Sequence, residues 1–263
     1  MFAFFRNRRR RKLLAEPFPP HWDVVLRRNV GHYTRLSEGE RVKLQDIIRV
    51  LIAEKTWEGC GGQHVTDEIR LTIAAQASLL LLGMPDHDYF TRVSTVIVYP
   101  DEFRTPNPDD DYEDDELSDG TLAGQAWYRG PVIVGWKLAA EEGSDPSAGF
   151  NVVIHEFAHQ LDFLDGIVNG TPPLGGRVEE ERWRAVMTAA FDSHQASLKR
   201  REATFFTEHA AEDETEFFAD AVEAFYCRPH DLENEALEVF ELLRGYFRID
   251  PRTWFPPDPK IGG

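Results

Sequence analysis

The stretch Val152-Val153-Ile154-His155-Glu156-Phe157-Ala158-His159-Gln160-Leu161-Asp162 decides the reading of this chain, because it sets two imidazoles four positions apart on an apolar, helix-like segment. One helical turn brings both rings over the same spot. Neutral imidazole is a favoured zinc ligand, and Glu156, one step from the first histidine, can face the position where water would bind such a metal. The flanking Val152, Val153, Ile154, Phe157 and Leu161 leave His155, Glu156 and His159 in largely buried surroundings, where polar groups need partners. An amphipathic helix that carries two histidines by chance is the weaker account.

Two histidines leave a catalytic zinc short of one protein ligand. Asp165, six positions after His159, is one candidate, but Asp162 stands where a glycine would make the sharp exit from the helix. The other is Glu216, in Glu212-Asp213-Glu214-Thr215-Glu216-Phe217-Phe218-Ala219-Asp220, on a helix expected to run to about Cys227 and stop before Pro229. Glu216 and Asp220 lie one turn apart on one face. Glu216 can then ligate the metal while Asp220 accepts the spare N–H of a ligand histidine. Asp213 and Glu216 could instead be no more than a capping pair. The need for a third ligand favours Glu216.

Outward from the motif, Asp145-Pro146-Ser147 is expected to open the histidine helix and Asp165-Gly166 to close it. Trp127 to Trp136 reads as a strand that Pro131, unable to donate to a ladder, pushes towards a sheet edge. Such an edge, with Gly130, Val132 and Val134, offers free backbone groups on which an extended peptide can pair. Val93 to Tyr99 is a second strand candidate. From about Pro20 to Gly83 the pattern is helical: Ser37 and Glu40 form a capping box ahead of Val42, Leu44, Ile47, Ile48, Leu51 and Ile52, and a second helix runs from Thr66 or Asp67 to a stop at Gly83. Glu179 to Arg201 is helix-prone, with Trp183, Val186, Met187 and Phe191 at core spacing and His194 expected at the surface.

The 263 residues suffice for one large domain or a domain with a smaller appendage. A net charge of −17 disfavours direct nucleic-acid binding, which depends on neutralising phosphates with Lys and Arg. Much of the acidity lies in Asp109 to Glu116, which lacks the glycine and spacing of an EF-hand loop. At the N-terminus, Phe2, Phe4 and Phe5 precede Arg6, Arg8, Arg9, Arg10, Arg11 and Lys12, reversing the order of a secretory signal; such a patch could touch an anionic membrane surface, but a frayed, solvated tail is expected there. Cys60 and Cys227 have no ligand spacing, and no apolar run is long enough to span a bilayer, so a cytoplasmic protein without a transmembrane segment is expected.

Several of these stretches together resemble a known family. Gly124-Gln125-Ala126-Trp127, Gly130-Pro131-Val132-Ile133-Val134, Ser147 to Asn151, His155 to Asp162 and Glu216-Phe217-Phe218-Ala219, with Trp22, Gly59, Ala74-Ala75-Gln76 and Leu82-Gly83 in order before them, are similar to the Mlc titration factor A family of bacterial zinc metallopeptidases. That resemblance implies a catalytic core like that of anthrax lethal factor, one zinc ion held by His155, His159 and Glu216, and Glu156 as general base. It also implies aminopeptidase-type cleavage and binding of a Mlc-like transcriptional repressor. The family carries a tyrosine seven residues before the ligand glutamate; here that position is His209. A protonated imidazole there can donate to a developing oxyanion; Tyr128 and Tyr226 are the alternative donors.

The expected architecture is therefore α+β: a zincin-like core with a small sheet and an active-site helix, preceded by a helical N-terminal region. Its expected parts are a basic, Pro-rich tail at 1–20, a helical region at 21–90 and the zinc core at 91–263. The expected activity is that of a gluzincin-type zinc metallopeptidase acting on a peptide or protein substrate, with Asp220 and Asp162 behind the ligands. The rival reading is a regulatory binding protein with a residual zinc site; a further rival is a non-peptidase zinc hydrolase such as an amidase.

Overall fold

The computed structural model describes residues 2–101 and 130–255. The acidic run 109–116, the motif 124–127 and Tyr128 lie outside the described residues. The chain folds as a mostly helical α+β structure. Four helices come first, α1 (Phe2–Ala15), α2 (Pro20–Asn29), α3 (Gly31–Arg35) and α4 (Glu38–Glu54). The Ser37 capping box closes the start of α4: the Ser37 hydroxyl accepts the Glu40 N–H and the Glu40 carboxylate accepts the Ser37 N–H.

A three-stranded parallel sheet follows in the order β1 (Thr56–Gly59), β2 (Thr95–Tyr99), β3 (Val132–Gly135). Parallel neighbours need a long crossover. Between β1 and β2 that crossover contains α5 (Asp67–Leu79), capped by the Thr66 hydroxyl on Ile69 N–H. The sequence pattern gave no sign of β1, whose residues are largely exposed and carry no alternation. β3 is shorter than expected and stands at an end of the described sheet, because Trp136 already begins α6 (Trp136–Ser144).

The remaining helices are α7 (Val152–Asp162), α8 (Arg177–Lys199), α9 (Glu214–Cys227), α10 (Pro229–Glu235) and α11 (Leu237–Phe247). Asp145 caps only a short 3-10 turn, Pro146–Ala148; the cap of α7 is Asn151, whose side chain accepts the Ile154 N–H. α7 ends at Asp162, and Gly166 in the left-handed region closes the following turn.

One continuous core joins the early helices to the later ones, drawing on Leu26, Ile48, Ile73, Val96, Phe157, Phe218 and Phe247. α7 packs on α9 and on α5, and β3 lies against α7. Two expectations fail here. The first residues form α1 rather than a frayed tail, because Arg10 reaches back to pair with Glu54 at 2.6 Å. His194 is buried, with Nε2 2.9 Å from the Thr207 carbonyl oxygen, since α8 lies against the 3-10 turn before α9. Among the described residues no helix is long and apolar enough to cross a membrane.

Candidate metal centre

α7 and α9 pack side by side and present their polar faces to each other. α9 starts where Asp213 accepts the Thr215 and Glu216 N–H groups. Its Glu216 then points into three imidazoles: its Oε2 lies 3.0 Å from His155 Nε2 and 3.0 Å from His209 Nε2, and its Oε1 lies 3.5 Å from His159 Nε2. The His155 ring is edge-on to His159, with centroids 5.0 Å apart, and stacked with His209 at 6.1 Å. His209 comes from a 3-10 turn, His209–Ala211, that precedes α9 and packs on it.

Among the described residues, the donors that close into a metal-sized group are His155, His209 and Glu216, whose ligand atoms all lie within 4.8 Å of one another. This corrects the expected ligand set. The contiguous H-E-x-x-H pair plus a distal glutamate is not the group that forms; the donors come from α7, the 3-10 turn and α9, far apart in sequence. The reason is geometric. One helical turn aligns His155 and His159, but the turn before α9 brings His209 back to the oxygen of Glu216 that already faces His155, while His159 meets the other oxygen. The gluzincin-type metallopeptidase inferred from the motif loses its support with that ligand set. His209, expected to donate to an oxyanion, belongs to the donor group itself.

The chemistry of this group suits a borderline divalent ion, since imidazole nitrogen and carboxylate oxygen are both accepted by zinc. Electrostatics concentrates charge there. Burial opposes ionisation of Glu216, yet hydrogen bonds to His155, His159 and His209 hold its carboxyl well below the usual carboxylate range. For His155 burial works against the charged ring, and hydrogen bonds to Glu216 and Glu223 outweigh it, raising the pKa well above 6.5. His209 is pushed up to about 9 by its hydrogen bond to Glu216, against burial and with help from Glu212. Glu156 is half-buried beside them, and burial raises its carboxyl.

The residues behind the donors differ in part from expectation. Asp220 does not reach a ligand histidine; it accepts the Thr207 hydroxyl at 2.8 Å and so ties down the segment leading to His209. The partner of His155 Nδ1 is Glu223 Oε2, at 3.3 Å. Glu223 Oε1 also accepts the Asn151 N–H, and the Asn151 side chain donates to Gln76 Oε1 at 2.8 Å. Sequence reasoning missed Glu223, although its spacing of seven from Glu216, two helical turns, placed it on the same face. Asp162 accepts three backbone N–H groups, from Asn169, Gly170 and Thr171. Burial raises its carboxyl to about 6. Gly170 lies so close to α9 that a Cβ there would meet the Glu214 carbonyl oxygen at 2.4 Å, so Asp162 stitches the end of α7 to the start of α9.

Asp165 is exposed and caps its own turn through Ile167 N–H. Tyr226 is fully buried against Phe225, Phe247 and Trp254, away from the donor group. Val132 and Val134 bury their side chains, while Ile133 between them is half-buried.

Comparison with known proteins agrees with this architecture. A family model described as glucose-regulated metallo-peptidase M90 matches residues 4–248. An uncharacterized protein of Synechocystis sp. is 34% identical over 247 residues, covering 92% of this chain and 89% of its own. Mlc titration factor A of Yersinia enterocolitica is 31% identical over 232 residues, covering 85% and 84%, and that of Yersinia pestis 28% over 254 residues, covering 93% and 88%.

Proposed function

The chain belongs to the glucose-regulated metallo-peptidase M90 family, and from that premise we propose that it is a zinc-binding regulatory protein that acts by holding a protein partner. The observation that carries this reading is His209. A catalytic zinc keeps one coordination position open, whereas a structural site is closed by four protein donors. Here His155, His209 and Glu216 form the converging group, and we assign the fourth place to His159, which lies outside that group but has Nε2 3.5 Å from the second oxygen of Glu216.

The relatives named Mlc titration factor A support a Mlc-like transcriptional repressor as the partner we assign, met in the cytoplasm. The net charge of −17 supports a protein rather than a nucleic-acid partner. In this division of labour residues 21–90 back the histidine helix and residues 91–263 carry the donors. The outer edge of β3, with Gly130, Val132 and Val134, offers backbone groups on which an extended partner segment adds as a strand.

Two measurements test this. Cobalt-substituted protein should show a four-coordinate spectrum without an exchangeable water, and zinc-loaded protein should form a stoichiometric complex with the Mlc-like repressor of the same genome. A water-bearing site together with peptide turnover that disappears in Glu156→Gln would overturn the proposal.

A further inference from the structure

Among the described residues, α1 is the one strongly basic helix on an acidic protein, and the metal site makes no use of it. Arg6, Arg8, Arg9, Arg11 and Lys12 are exposed, and none makes an ion pair with a described carboxylate. Just before them Phe4 and Phe5 are 62% and 58% exposed, packed edge-on against each other at 5.9 Å. The helix does not sort these residues onto opposite faces, but exposed aromatic side chains beside a cluster of cations offer a headgroup layer both an apolar contact and positive charge.

α1 is also held in a fixed orientation. Arg10 alone turns inward, donating to both oxygens of Glu54 at 2.8 and 2.6 Å and stacking over Tyr89 at 4.2 Å. Arg49 binds the carbonyls of Leu14 and Glu16 at the far end. The remaining cations and the phenylalanine pair are thereby left facing outward, with the acidic body of the protein behind.

We propose that α1 is a docking surface for an anionic lipid bilayer, with Arg6, Arg8, Arg9, Arg11 and Lys12 against lipid phosphates and Phe4 and Phe5 inserted at the acyl boundary. An anionic bilayer, unlike a nucleic acid, supplies both features the helix displays: a negative surface and an adjoining apolar layer. Attraction of this kind is short-ranged and screened by salt.

The test is sedimentation of the full chain with vesicles. Phosphatidylcholine vesicles containing phosphatidylglycerol should bind it, pure phosphatidylcholine vesicles should not, and high salt should release it. Replacing the four exposed arginines together by glutamine should weaken binding by about fivefold per cation removed. The matching set of lysine replacements keeps the charge and the helix and should retain binding, which separates loss of charge from loss of fold. Phe4→Ser with Phe5→Ser should weaken binding at unchanged charge. Equal binding to neutral vesicles, no binding to anionic ones, or glutamine variants that bind as well as the wild type would each overturn the proposal. Binding to an RNA oligonucleotide with no vesicle binding would assign the surface to nucleic acid instead.

Discussion

Helices α5 and α9 are both buried against α7, and both carry polar residues into the core, but of different kinds. α5 buries Thr72, Gln76 and Ser78, all fully covered and neutral. Their demands are met at once: Ser78 donates to the Ala74 carbonyl, Gln76 to the carbonyls of Thr72 and Ala139, and the Thr72 hydroxyl accepts from Asn29. α9 instead carries half-buried Glu216 and buried Asp220 and Glu223 on one face. Buried charge is costly unless paired and hydrogen-bonded. Each of these carboxylates is satisfied by groups delivered from elsewhere: three imidazoles, the Thr207 hydroxyl and the Asn151 N–H. Neutral polar groups make α5 a scaffold, and charged ones make α9 a site.

Substitutions on the two helices should separate along that line. Glu216→Ala removes the carboxylate on which the imidazoles converge, and zinc affinity should fall by more than the about hundredfold typical of an outer partner; isothermal titration with zinc measures it, and near-normal affinity would place the metal elsewhere.

Glu223→Gln keeps the shape but leaves only one acceptor oxygen for two donors, the Asn151 N–H and the His155 ring. Zinc affinity should fall about ten- to hundredfold, and nitrogen NMR of His155 in the zinc-loaded protein should show a mixture of ring tautomers where the wild type shows one. A variant with unchanged affinity and a single tautomer would reduce Glu223 to a backbone clamp.

Protons compete with the metal for the same nitrogens. With His209 raised to about 9 in the metal-free protein, binding below that pH must displace a proton, so affinity should increase with pH by about tenfold per unit for each proton displaced. The rise should continue well past the ordinary histidine value, because His155 is raised as well as His209. Levelling near the ordinary histidine value would show that neither ring gives up its proton to the metal.

The smallest effect on the metal belongs to α5. Gln76→Leu strands the Asn151 amide and the Ala139 carbonyl without their partner, which should cost about 1–3 kcal/mol of stability. Zinc affinity should change least of all four tests, because Glu223 still holds the Asn151 backbone. Denaturant unfolding and zinc titration of the same variant check both halves, and a large loss of affinity would mean that α5 belongs to the site after all.

Much of the fold was legible because local rules and tertiary packing agreed. The Ser37 and Thr66 caps, the 3.6-residue periodicity of α4 and the β-branched run of β2 each carry their instruction within a few residues. β1 was invisible because four mostly exposed residues, Thr56 to Gly59, owe their strand geometry to pairing with β2. α1 was misread because its composition suits a solvated tail, while long-range contacts, Arg10 with Glu54 and Arg49 with the Leu14 carbonyl, hold it.

The sequence by itself determined that His155, Glu156 and His159 share one face of a helix and that Glu216 begins another, since helical spacing is a local property of the chain. Only the tertiary structure decided which donors meet. His209 lies 54 positions from His155 in the chain, and Glu223 lies 68 from it. Their approach depends on how α7 packs on α9 and where the 3-10 turn enters, and those are set by burial across the whole core, with no local pattern to announce them.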